Sequence, residues 1–205
     1  FMAKPYAERP GNGMHVHLSV LDEKGRNIFD DGSEQGSAAM RHALAGLLAA
    51  MPESMLIFAP HQNSYRRFAI EQHAPIAACW GVENRTTALR VPLGPSSQRR
   101  IEHRVAGADT NPYLVLAAIL AGVLAGLESE DTPPPPHIGS AYEADLPALP
   151  ASWKAAHDAF AEGDILKQYL PEVFCQMLLD CKAQEMRRFA SDISAFEYKS
   201  YLDQA

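Results

Sequence analysis

The chain has 205 residues, of which 47% are hydrophobic, and a formal net charge of −7. That length can bury a core, so one domain is the default, and the acidic balance argues against a nucleic-acid binder or a basic membrane-surface protein. The longest strongly apolar run, Pro112 to Leu127, is shorter than the ~20 residues that cross a bilayer, and Cys79, Cys175 and Cys181 lack zinc-like spacing and suit a reducing cytoplasm.

The opening residues, Phe1-Met2-Ala3-Lys4-Pro5-Tyr6, carry no signal peptide and read as the interior of a longer chain. Gly11-Asn12-Gly13 then opens a strict alternation from Met14 to Val20. A strand has a side-chain period of two, which puts His15, His17 and Ser19 on one face and Met14, Val16, Leu18 and Val20 on the other. Imidazoles bind metals and phosphate-bearing ligands; an exposed strand with two idle histidines would show the same pattern. Leu21 to Phe29 reads as a hairpin turn with a short return strand. Ser33 or Ser37 caps a helix to about Met51 that buries Met40, Leu44, Leu47, Leu48 and Met51, with Pro52 and Pro60 in the connection after it.

Asn63 to Pro75 has no clear period and reads as a loop bearing Arg66, Arg67 and His73. Two strand-like pieces follow, Arg85–Val91 and Arg100–Val105. Alternation in the second sets Glu102 between Arg100 and Arg104, with Ile101, His103 and Val105 opposite. Flanking guanidinium groups keep such a carboxylate ionised, although a solvated sheet face with ordinary salt bridges would read alike. Asn111-Pro112 starts a helix to about Leu127, apolar nearly all round and so expected to be the buried central one. Its small residues Ala118, Gly122 and Gly126 invite close approach by another backbone. After Asp131-Thr132-Pro133-Pro134-Pro135-Pro136, the remainder is helical: Ser152 to Glu162, Asp164 to Leu170, Pro171 to Ala190, and a last turn around Phe196–Leu202. Phe174, Met177, Leu178, Cys181, Met186 and Phe189 are the expected packing positions of the third.

Four blocks in order give the chain a family resemblance over essentially its whole length. They are Lys4-Pro5 leading into Gly11-Asn12-Gly13-Met14-His15-Val16-His17-Leu18-Ser19; Asn63-Ser64-Tyr65-Arg66-Arg67; Asn84-Arg85-Thr86 with Arg90-Val91-Pro92; and Arg100-Ile101-Glu102-His103-Arg104 with Asn111-Pro112-Tyr113. Together they resemble the C-terminal catalytic region of the glutamine synthetase family. The resemblance implies an α+β fold, an antiparallel sheet with packed helices, whose strand-rich core covers residues 1–130 and whose helical part covers 137–205. It implies an ATP-dependent ligase that phosphorylates the γ-carboxylate of glutamate before nitrogen displaces the phosphate, with Mg²⁺ or Mn²⁺ as the ion. Position by position, His15 and Glu102 match metal ligands, and His17, Ser19, Arg85, Arg90 and Arg100 match nucleotide contacts. Gly11, Arg67 and Arg104 match substrate contacts, and Arg85 and Arg104 match groups acting on the transferred phosphoryl.

Two positions depart from glutamine synthetases proper. His73 stands where the family's loop glutamate takes a proton from ammonium, with Glu71 two residues early, and Pro10 replaces an asparagine near the substrate. A histidine suits a bulkier neutral amine. The chain therefore looks most like the γ-glutamylpolyamine synthetase-type branch, which joins glutamate to a polyamine or similar amine. The alternatives are a true glutamine synthetase using ammonia and a non-catalytic structural relative. Further carboxylate ligands and a small N-terminal β-domain are expected to precede Lys4, leaving this part inactive alone. A cytoplasmic homo-oligomeric ring with no nucleic-acid or membrane partner is the implied setting.

Overall fold

The alternating stretch forms strand β1 (Val16–Leu18), with Met14, Val16, Leu18 and Val20 packed against the core as expected. The computed structural model describes residues 1–33, 36–69 and 73–203. The hairpin after β1 closes on a single Leu21–Asn27 bridge, so no return strand extends it. Three further strands, β2 (Trp80–Val82), β3 (Leu89–Val91) and β4 (Ile101–His103), complete a sheet of order β1-β4-β3-β2. β4 is antiparallel to β1 and β3, but β2 runs parallel to β3. The α+β expectation holds, and the sheet is mixed where it was expected to be antiparallel throughout. The reason is local. Arg85–Thr87 forms a turn instead of the start of a strand, and β2, unmarked by any alternation, fills the edge. The Pro133–Pro136 segment lies beside that edge, with the Trp80 indole donating to the Pro134 carbonyl at 2.7 Å. Prolines there have no N–H with which to extend the sheet.

The register fixes the two faces. Val16, His103, Leu89 and Trp80 align across the four strands in one row, while His17, Glu102 and Arg90 align in the next. The first row faces the core. His103 is fully buried there against Phe58, ring centroids 4.6 Å apart. Burial, aided by the charge of His15, pushes its pKa down to about 3, so it packs as a neutral ring.

Helix α1 (Ala38–Phe58), capped by the Ser37 hydroxyl, runs straight past Pro52. Sequence alone ends it at Met51, because proline removes a helical hydrogen bond. Burial of Met55, Leu56, Ile57 and Phe58 beyond it outweighs that loss. Residues Gln62–Arg67 then form a 3₁₀ helix where a plain loop was expected. Helix α2 (Pro112–Ser129) starts on the Asn111 cap and Pro112, as read. It crosses α1 at the small residues: a Cβ on Gly126 would lie 2.8 Å from the backbone nitrogen of Gly46, and one on Gly122 would lie 3.2 Å from the Leu47 Cα. It is not buried all round, since Tyr113, Leu116, Leu120 and Leu124 are exposed. By length and composition α2 could cross a membrane; its packing on α1 accounts for the small and apolar residues of its inner face. The buried central helix is α1, against which α2 and α3 (Trp153–Glu162) both pack.

The last third follows the expected boundaries: α4 (Ile165–Tyr169), α5 (Glu172–Ala190) and α6 (Ala195–Tyr201). Phe174, Leu178 and Met186 of α5 pack against the core, whereas Met177, Phe189 and Cys181 face outward. No residue of α6 is buried. α1 has one buried acid, Glu53, whose carboxylate accepts from the Ile165 N–H at 3.1 Å and so caps α4. Burial raises its pKa, against the hydrogen bonds from Leu166 and Ile165. The native state thus holds this proton more tightly than the unfolded chain, so the stability it contributes is full at low pH. That contribution falls as pH rises through the raised value. Glu53→Gln keeps an acceptor and removes the titration. Urea unfolding should therefore show the variant level with the parent near about pH 4 and ahead of it near about pH 7. An identical difference at both pH values would clear Glu53 of this role.

Candidate active site

The outward row of the sheet carries the charge. Glu102 is only 3% exposed, an unusual place for a carboxylate on a sheet of this size. It receives hydrogen bonds from Arg90 Nη1 at 2.6 Å and Arg104 Nη1 at 2.8 Å. His15 Nδ1 lies 3.1 Å and His17 Nε2 3.7 Å from its Oε1. Burial alone would raise the Glu102 pKa; the Arg90 hydrogen bond and the Arg104 and Arg90 charges overcome it and hold the carboxyl below its usual range. A solvated face with idle histidines is therefore not what the sheet presents.

One of the two flanking guanidiniums differs from the sequence expectation. Arg100 turns away from Glu102, and its Nε donates to His17 Nδ1 at 3.3 Å. Arg90, its cross-strand neighbour on β3, takes the place. Arg90 is also held from behind by Glu83, Nη2 to Oε2 at 2.7 Å. Glu83 adopts a left-handed backbone (φ 50°) that a residue with a side chain rarely takes. Sequence reading passed over Glu83, since nothing local ties it to Arg90. His15 has its pKa lowered by burial and by Arg104, against the pull of Glu102. At neutral pH it is the uncharged imidazole that ligates metals.

Arg67 sits at the other end of the site, 3% exposed. Its side chain fits only because glycines flank it. A Cβ on Gly11 would lie 2.9 Å from its Cγ, and one on Gly107 would lie 2.9 Å from its Nη1. Gly11 and Arg67, assigned to one substrate from sequence, are thus in contact. The Arg67 guanidinium reaches the Val105 and Ala106 carbonyls only at 3.4–3.5 Å. Its nearby negative charge is Asp109, which accepts from the Ser64 hydroxyl at 2.6 Å. Asp109 was another silent position in the sequence.

Other expected residues stand at the margin. The Arg85 side chain is exposed, while its carbonyl accepts from Arg104 Nη2 at 3.0 Å. Ser19 is exposed and makes no side-chain hydrogen bond among the described residues. His73 is exposed, with a left-handed backbone (φ 58°). Glu71 lies outside the described residues.

Magnesium and manganese favour several oxygen donors. Here the His15 and His17 imidazoles approach one carboxylate, yet among the described residues no group of three His, Cys, Asp or Glu could close around an ion. His15 and Glu102 fit as two members of a larger donor set.

The family model for the catalytic domain of glutamine synthetase matches residues 1–201. The chain belongs to the glutamine synthetase family. Within that family it is 42% identical over 205 residues to γ-glutamylputrescine synthetase of Escherichia coli (strain K12), covering 100% of this chain and 43% of that protein. It is 44% identical over 167 residues to γ-glutamylethanolamide synthetase of Streptomyces coelicolor, covering 82% of this chain and 36% of that protein. Among solved structures, ligand-free GmaS superposes with a TM-score of 0.88 at 29% identity, covering 99% of this chain and 48% of that one. The chain spans less than half the length of these relatives.

Proposed function

We propose that this glutamine synthetase-family chain supplies part of the active site of an ATP-dependent ligase joining the γ-carboxylate of glutamate to a primary amine. The observation that carries the reading is the buried, ionised Glu102 ringed by His15, His17, Arg90 and Arg104. A packed sheet has no structural need for such a cluster, whereas phosphoryl transfer needs fixed positive charge and metal ligands in place beforehand. The names of the 42% and 44% identical relatives, a putrescine and an ethanolamide synthetase, favour an amine over ammonia.

In this reading Gly11, Arg67 and Arg104 hold glutamate, with guanidinium forks matched to carboxylates. Arg85 and Arg100, with His17 and Ser19, face the nucleotide. Arg90 contributes its charge while anchoring Glu102. A glutamate γ-oxygen attacks the terminal phosphorus of ATP, ADP leaves, and γ-glutamyl phosphate forms. The neutral amine then attacks the γ-carbon, phosphate departs, and His73 accepts the amine proton. His15 and Glu102, with further ligands, would hold a divalent ion, which would supply charge neutralisation for phosphoryl transfer. The exposed apolar faces of α2 and of α5–α6 support a homo-oligomer, and the free cysteines support a cytoplasmic setting.

The test is turnover of the complete protein with glutamate, ATP and magnesium, comparing putrescine, ethanolamine and ammonium. Specificity for one of the amines should exceed that for ammonium by about tenfold or more in kcat/KM. A preference for ammonium makes it a glutamine synthetase proper, and no ATP-dependent product with any nitrogen donor ends the ligase reading.

A further inference from the structure

Glu83 follows directly after β2, and its N–H donates to the Val91 carbonyl at 3.1 Å, which holds the residue beside Arg90. Its carboxylate is divided between two partners. Oε1 accepts from the Leu93 N–H at 2.5 Å and Oε2 from Arg90 Nη2 at 2.7 Å. Arg90 gives its other terminal nitrogen, Nη1, to Glu102 Oε2 at 2.6 Å. The guanidinium is therefore fixed between two carboxylates, one nitrogen to each. Its Nε is buried and has no hydrogen-bond partner among the described residues.

Local structure does not call for a glutamate here. The φ of 50° is left-handed, where glycine is at ease and a long side chain is strained. The Glu83 side chain is also 37% exposed, and so open an ion pair adds little stability. What the pair does is orient. An arginine fork closes by preference on both oxygens of one carboxylate. On Glu102 that closure would engage Oε1, the oxygen facing His15 Nδ1 at 3.1 Å and His17 Nε2 at 3.7 Å. Oε1 already accepts from Arg104 Nη1 at 2.8 Å, so a second guanidinium nitrogen there would take its remaining lone pair. Glu83 draws Nη2 the other way and keeps Arg90 on Oε2.

We propose that Glu83 is a positioning residue: by holding Arg90 to one oxygen of Glu102, it leaves the other oxygen, together with His15, for a divalent ion. The proposal rests on the ligase reading in taking His15 and Glu102 as ligands.

The test is Glu83→Gln in the complete protein, which keeps an acceptor for the Leu93 N–H and withdraws the one that holds Arg90. Calorimetric titration should show Mn²⁺ binding about 10- to 100-fold more weakly, the usual loss when a ligand's own hydrogen-bond partner is disturbed. The kcat should fall with it while the KM for glutamate stays unchanged. In an Arg90→Lys background, where no fork remains to close on Glu102, the same substitution should leave Mn²⁺ affinity unaltered. An equal loss in both backgrounds overturns the proposal, because Glu83 would then act without Arg90. So does undiminished Mn²⁺ affinity in Glu83→Gln, or a parent that binds no Mn²⁺. Should Glu83→Gln fail to fold, Glu83→Gly, which relieves the left-handed backbone, carries the same measurements. A parent that binds Mn²⁺ but forms no ATP-dependent product ends the ligase reading by itself. The ratio of Mn²⁺ affinities of parent and variant then decides Glu83.

Discussion

Glu102→Ala is expected to abolish turnover of the complete protein and to destabilise its fold by about 3–5 kcal/mol, the range for breaking a buried ion pair from one side. The magnitude follows from who is left behind. Arg104 and Arg90 have side chains only 7% and 14% exposed, so water cannot replace the lost carboxylate, and two like charges face each other across the gap. His15 loses its 3.1 Å partner at the same time. Activity should fall by about a thousandfold or more, because the removed group orients the arginines and, in the proposed ligase, would also offer a ligand to a divalent ion. Glu102→Gln keeps the shape and one acceptor, so it should recover part of the stability and none of the turnover. The two measurements are steady-state rate and urea midpoint. A Glu102→Ala protein that works at the parental rate would place the chemistry elsewhere.

The second large effect concerns packing. Gly126→Ala should cost about 3 kcal/mol, the upper part of the range for overpacking a rigid contact. In an isolated helix the same change would gain about 1 kcal/mol, so its sign distinguishes the two situations. Here the added carbon would lie 2.8 Å from both the Gly46 nitrogen and the His42 carbonyl carbon. Those are backbone atoms of α1, which cannot rotate aside. α1 and α2 must separate, and the core between Leu47, Ala118 and Val123 opens with them. The check is a lowered urea midpoint with an unchanged slope. A variant as stable as the parent would show that the helices do not cross at these glycines.

Sequence alone determined what depends on near neighbours. The Ser37, Asn111 and Ser152 caps, the period-two stretch around His15 and the small-residue stripe of α2 all act within a few residues, so each was readable in place. The family blocks were also contiguous, which is why the resemblance preceded any geometry. What only the tertiary structure decided is who meets whom. Arg90 takes the place at Glu102 that alternation gave to Arg100, because strand register sets partners across the sheet. α1 continues past Pro52 because burial of the four apolar residues near its end outweighs one lost hydrogen bond. The segment around His137–Ala141 is tied to the turn at Asn84 and Thr86 by hydrogen bonds between residues more than fifty positions apart. Caps and periods are short-range and local, whereas the charge arrangement of the site is a product of packing between distant segments.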